Sequence, residues 1–139
     1  MKASIKSEYA CRAVEALCLH FPNPKPLSIE QIARSRRIPP NYLVQILLEL
    51  KHNGIVQSHR GKAGGYLLAK LPQQITVGDV LRAVQGYVID LPGLADPDCP
   101  AELKSVWHRI KAAAETAAQS ITFDQIAQAA RQPAPLYEI

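Results

Sequence analysis

The chain has 139 residues, 47% of them hydrophobic, and a net charge of +4, which is enough apolar content for a packed core and argues against disorder. No run is long and apolar enough to span a bilayer, and the opening MKASIKSEYACRA, whose charges run on into its apolar part, does not read as a secretory leader. Three cysteines, an odd number at irregular spacing, argue against a disulfide framework and make a cytoplasmic location the expectation.

A first helix is expected over residues 7–20, where Tyr9, Ala10, Ala13, Val14, Ala16, Leu17 and Leu19 form a broad apolar face. Pro22, Pro24 and Pro26 stop it and stiffen the connection. Ser28 is the expected N-cap of a second helix, with Ile29, Ile32 and Ala33 inward and Arg34, Arg36 and Arg37 as a basic cluster. Pro39 and Pro40 mark the start of a third, because proline there loses no helix hydrogen bond. Leu43, Ile46, Leu47 and Leu50 give that helix one inward face, while Asn41, Val44, Gln45 and Leu48 lie toward the other side. Asn53-Gly54 ends it, since both residues tolerate a left-handed backbone.

Residues 55–59 and 66–69 read as two strands around the basic, glycine-rich tip 60–65. Two helices joined by a short turn and followed by a basic hairpin form the winged helix-turn-helix plan, whose second helix enters the DNA major groove. The charge distribution agrees. Residues 28–70 carry seven Lys/Arg and two Asp/Glu, whereas residues 71–139 carry five and eight. Positive charge thus sits where phosphate contact requires it.

Residues 71–74 are expected to be a loop. Thr76 then caps a short helix with Asp79 as its capping-box acid, with Val77, Val80, Leu81 and Val84 inward and Gly86 at its end. Residues 87–100, with three prolines, read as a loop. The longest helical stretch runs from 101 to about 120, with Leu103, Val106, Trp107, Ile110, Ala114 and Ala117 as an apolar stripe. A single wing domain needs no such helix, which makes it the expected dimerisation element; the competing reading folds it back on its own core. Thr122 caps a final short helix with Phe123, Ile126, Ala127 and Ala130 inward. The fold class is therefore mainly α with a small β-wing. Its parts are a DNA-binding domain over 1–86, a loop over 87–100, a dimerisation helix and short helix over 101–131, and a tail over 132–139.

The run PPNYLVQILLELKHNGIVQSHRGKAGGYLLA carries a Tyr-Leu at the start of the reading helix, then Gly-Ile-Val, then Arg-Gly-Lys-Ala-Gly-Gly-Tyr in the wing. This ordered set resembles the Rrf2 family of bacterial transcription regulators, and the likeness extends over roughly residues 1–131. The resemblance implies a dimeric DNA-binding regulator, repression being the expected sign of action, that reads a pseudo-palindrome in double-stranded DNA. The residues expected at the DNA are Ser28, Arg36, Arg37, Pro40, Asn41, Tyr42, Gln45, His59, Arg60 and Lys62. Asn41 and Gln45 carry amides that pair bidentately with adenine, and Tyr42 either bonds a phosphate or packs at the helix start. In similar regulators the wing arginine, here Arg60, enters a narrow minor groove.

Two departures qualify the resemblance. A glutamate that helps several cluster-bearing relatives select operators is matched here by Val44. The family often holds an iron–sulfur cluster on three cysteines in the loop before the long helix, and this loop has only Cys99. No cofactor is therefore expected, the competing reading being a [2Fe-2S] or thiol-based sensor that uses Cys99 and Glu8. Cys11 and Cys18 read as small core residues, and the four histidines show no metal spacing. Some cluster-free members control cysteine and sulfur genes with cysteine synthase, whose active site accepts C-terminal peptides ending in isoleucine. The end Pro-Leu-Tyr-Glu-Ile, with Tyr137 and Ile139, fits that pattern as a partner-binding tail. No hydrolase, P-loop, zincin or dinucleotide motif is present, and no enzyme is expected.

Overall fold

The structure, a computed structural model, describes residues 4–132. They form α1 (Ile5–His20), α2 (Ile29–Arg36), α3 (Pro40–His52), β1 (Val56–His59), β2 (Gly65–Leu68), α4 (Val77–Gln85), α5 (Ala101–Ser120) and α6 (Phe123–Arg131). The architecture is the mainly helical winged helix-turn-helix that the sequence pattern implies, with a long helix following it.

Helix α1 is the hub. It touches α2, α3, α4, α6 and β2. Ala10, Ala13 and Val14 have no exposed surface, and Ala16 and Leu17 almost none. Three alanines on the buried face let neighbouring backbones come close on several sides. The helix starts two residues before the expected position because Ser4 caps it, its hydroxyl accepting the Ser7 N–H at 3.1 Å.

Helix α2 opens with a complete capping box. The Ser28 hydroxyl accepts the Gln31 N–H at 3.1 Å, and the Gln31 side chain accepts the Ser28 N–H at 2.8 Å. It closes on Arg37, whose φ of 55° makes it a left-handed residue without glycine's freedom. Pro39 keeps Ile38 out of the helical region, and buried Ile38 pins the turn to the core. Helix α3 begins at Pro40 as expected and buries Leu43, Ile46, Leu47 and Leu50 completely. Each such side chain contributes on the order of 2 kcal/mol. At its end only Gly54 uses the left-handed region, with φ 72°; Asn53 stays at −95°.

The wing strands pair antiparallel in the register Val56↔Leu68, Gln57↔Leu67, Ser58↔Tyr66 and His59↔Gly65. The strands were expected at 55–59 and 66–69, and each lies one residue off at one or both ends. Ile55 instead bonds back to α3, its N–H donating to the Leu50 carbonyl at 3.0 Å. A rung that the pattern does not reveal joins Leu27 to Tyr66, with bonds of 3.0 Å and 2.7 Å. It ties the wing to the residue before α2. Gly65 is what permits it, because a Cβ there would collide with the Leu27 carbonyl.

Two expectations need correction. Residues 71–74 are not plain loop: Pro72–Gln74 form a 3₁₀ turn with Pro72 buried. Ala130 is exposed rather than inward. The inward reading of Phe123 and Ala127 holds, and it carries the core past residue 86. Phe123 and Ala127 on α6 belong to it, and the Arg131 guanidinium reaches the Cys18 carbonyl at 3.4 Å. Backbone bonds from Val77 to Ile121 (2.9 Å) and from Phe123 to Ile75 (2.8 Å) fasten this return. Only after α5 has crossed does the chain complete the body that α1 began.

Replacing Gly65 by Ala is expected to lower unfolding free energy by about 1–3 kcal/mol, because the Leu27 rung must open to admit the methyl group. Urea denaturation with both proteins in the same buffer measures it.

Candidate nucleic-acid interface

Since α3 spends Leu43, Ile46, Leu47 and Leu50 on the core, its remaining face must look outward. Asn41, Tyr42, Val44, Gln45 and Leu48 are all exposed there. The wing stands beside it, carrying exposed His59, Arg60 and Lys62. Lys51 near the end of α3 donates to the Ser58 hydroxyl at 2.8 Å, which fastens the reading helix to β1. Between the start of α2 and the wing lies an open groove of about 380 Å³, lined by Ser28, Glu30, His59, Arg60, Gly61 and Tyr66 among others. Glu30 is the acid on its lip.

The expected contact residues do not all share one fate. Asn41 and Gln45 on α3 and Arg60 and Lys62 at the wing tip are all exposed, and so are Pro40 and Arg37 at the turn between α2 and α3. Ser28 lines the groove, but its hydroxyl and N–H already serve the capping box. Tyr42 packs its ring edge-on against Tyr9, centroids 5.7 Å apart, while 45% of it stays exposed. Arg12 stacks on the other partner of that pair, 5.4 Å from the Tyr9 ring centre.

Arg36 is committed elsewhere. Its guanidinium pairs with Glu15 on α1 at 2.8 Å, and its carbonyl accepts from Arg12 at 3.4 Å. Spacing along the chain does not reveal that pair, which needs α1 and α2 folded together. Arg34, Arg37, Arg60 and Lys62 form no ion pair among the described residues. Arg34 lines a cleft with Pro40 at the helix-turn-helix corner, a role its place in the basic cluster hinted at.

The cysteines sit apart. Burial pushes the Cys11 thiol up to about 11, with Glu8 adding to the effect. Cys18 is pushed up to about 12, by burial first and then by Asp124 and Glu15 against an opposing Arg131. Their surroundings thus hold both thiols toward the protonated form at neutral pH. Cys99 lies half-buried in the loop before α5, near Gly93, against which the Trp107 indole packs closely. Glu8 is exposed on α1 and paired with Arg12 at 3.0 Å. Among the described residues no three His, Cys, Asp or Glu side chains converge. The loop supplies one cysteine, Cys99, where an iron–sulfur cluster requires several converging thiolates.

Along α5 the expected stripe is mostly bare. Leu103, Val106 and Ile110 are each 41% exposed, and Ala118 is the only buried residue of the helix. Trp107 differs from its neighbours in facing its own loop at Gly93. The tail residues Tyr137 and Ile139 lie outside the described residues.

Three comparisons with known proteins bear on this surface. The Rrf2 family model, described as an iron-dependent transcriptional regulator, matches residues 3–129. The HTH-type transcriptional regulator CymR of Bacillus subtilis is 32% identical over 127 residues, covering 91% of this chain and 90% of that protein. Its solved structure, titled as that of the global cysteine regulator, superposes with a TM-score of 0.80 over 93% of this chain and 98% of its own, at 28% identity. The structure of IscR from T. potens also gives a TM-score of 0.80, at 33% identity, covering 99% of this chain and 95% of that one. No helix among the described residues is long and apolar enough to cross a membrane.

Arg60 and Arg36 separate contact from architecture. Arg60→Ala is expected to weaken duplex binding and to reduce the slope of log K against log salt by about 1. Arg36→Ala should leave that slope unchanged and lower thermal stability, because it strands Glu15. A salt titration followed by fluorescence anisotropy, with a melting curve for each variant, checks both.

Proposed function

Because this chain belongs to the Rrf2 family of DNA-binding transcriptional regulators, we propose that it works in the cytoplasm as a homodimeric repressor, reading a pseudo-palindromic operator without a bound cluster. The observation that carries the dimer is the bare stripe on α5. Leu103, Val106 and Ile110 remain exposed on the body formed by the described residues, and continue into small Ala113 and Ala117. A second copy of the same helix covers such a stripe about a two-fold axis. Two reading helices related by that axis then address two half-sites.

The cluster-free reading rests on the donor set: one thiol in the loop, with two protonated ones in the core. A second reading, a redox or iron–sulfur sensor using Cys99 and Glu8, draws support from the description of the family model as iron-dependent. Control of cysteine and sulfur metabolism is supported by the likeness to the protein titled the global cysteine regulator. In this reading the C-terminal segment with Tyr137 and Ile139 is offered to cysteine synthase, on the strength of its sequence.

The purified protein, made without oxygen, is expected to retain a small set of duplex fragments from its own genome while carrying no stoichiometric iron or sulfide. Ile110→Glu should yield monomers in sedimentation and lose those fragments, with α-helical content unchanged. Retention by a wild-type monomer would remove the dimer, and stoichiometric iron would favour the sensor. Deleting Ile139 is expected to abolish association with cysteine synthase in calorimetry; unchanged affinity would remove the tail reading.

A further inference from the structure

The outward face of α3 carries an unexpected pair. Among its amides stand two aliphatic side chains, Val44 and Leu48, 45% and 40% exposed. They are four residues apart and so lie on one stripe, with Asn41 one turn before Val44 and Gln45 beside it. Neither belongs to the hydrophobic core. Two aliphatic groups on one stripe of the face that the fold leaves open give that face an apolar contact surface in the functional complex.

The surroundings identify its partner. The elements on either side of α3 in the chain carry Arg34 on α2, Arg37 in the turn, and Arg60 and Lys62 at the wing tip, all exposed and without ion pairs among the described residues. The acid within α3, Glu49, pairs with Lys6 on α1 instead. An apolar strip inside a cationic frame suits a polyanion that presents apolar groups between its phosphates. Duplex DNA does so in the major groove at one place only, the C5-methyl of thymine. We propose that Val44 and Leu48 select thymines by contact with their methyl groups, and thereby set part of the operator sequence. Asn41 and Gln45 on the same face provide the amides that pair with adenine, the partner of each such thymine.

The spacing fits the task. Four residues of helix advance about 6 Å, and stacked bases advance about 3.4 Å per step. With α3 lying along the groove, Val44 and Leu48 address thymines about two steps apart. Valine is compact and stiff at its branch point, which makes it a defined contact surface with little entropy to lose. A polar or acidic side chain in its place would meet the thymine methyl without a hydrogen-bond partner.

This inference rests on the DNA-binding reading, and the test separates the two. An operator is first selected from random duplexes with the full-length protein. Each thymine in it is then replaced singly by deoxyuridine, which removes only the methyl group. In each half-site two replacements are each expected to weaken wild-type binding about four-fold, which corresponds to ~0.8 kcal/mol. One of them should leave Val44→Ala unaffected, and the other should leave Leu48→Ala unaffected. The inference is overturned if no deoxyuridine weakens binding, or if the sensitive positions stay sensitive in both variants; the DNA-binding reading survives either result. Failure to select any duplex would remove that reading, and this inference with it.

Discussion

Everything in this molecule leans on the close packing that the alanines of α1 allow. Ala10, Ala13 and Ala16 take up so little room that α2, α3, α4 and α6 can all meet one helix. Because α3 must give a whole face to that junction, its other face has no protein to lie against. The reading surface is thus a consequence of core packing. The polar Asn41 and Gln45 are at ease there, and the apolar Val44 and Leu48 are not.

Attachment of the wing follows from a second, smaller constraint. A two-stranded hairpin is marginal alone. This one gains a bridge to Leu27 outside its own ladder and a side-chain tie from Lys51 to Ser58, which fasten it to the start of α2 and to α3. The tip residues Arg60 and Lys62 therefore project from a held base. Gly65 serves this attachment through lack of a Cβ, and the wing motif reads as a packing requirement as much as a DNA-contact signature.

Charge is divided between architecture and contact. Arg12 and Arg36 are drawn into the α1–α2 junction with Glu8, Glu15 and Tyr9, while Arg34, Arg37, Arg60 and Lys62 stay outside. The net positive charge of the reading unit thus overstates the number of cations free to meet phosphate. The cysteines show a similar division. Two lie on α1 with their thiols pushed up by burial, and Cys99 stands apart near Trp107 in the loop. The long helix buries only Ala118 among its residues, and its aliphatic stripe stays exposed on the described body.

Local chemistry alone determined most of the secondary structure. Capping boxes at Ser28, Thr76 and Thr122, the proline at the start of α3 and the glycine after α4 are each decided within four residues, so they can be read from the chain. The tandem of apolar spacing, basic tip and glycines likewise placed the reading helix and wing. What the chain could not disclose is anything decided by partners far away in sequence. Arg36 looked free until Glu15 folded beside it, and α6 looked like part of the extension until Phe123 closed the core. Trp107 looked like one more member of the α5 stripe until Gly93 took its ring. Periodicity gives the direction of a side chain around its own helix axis, and only the assembled body decides what stands in that direction.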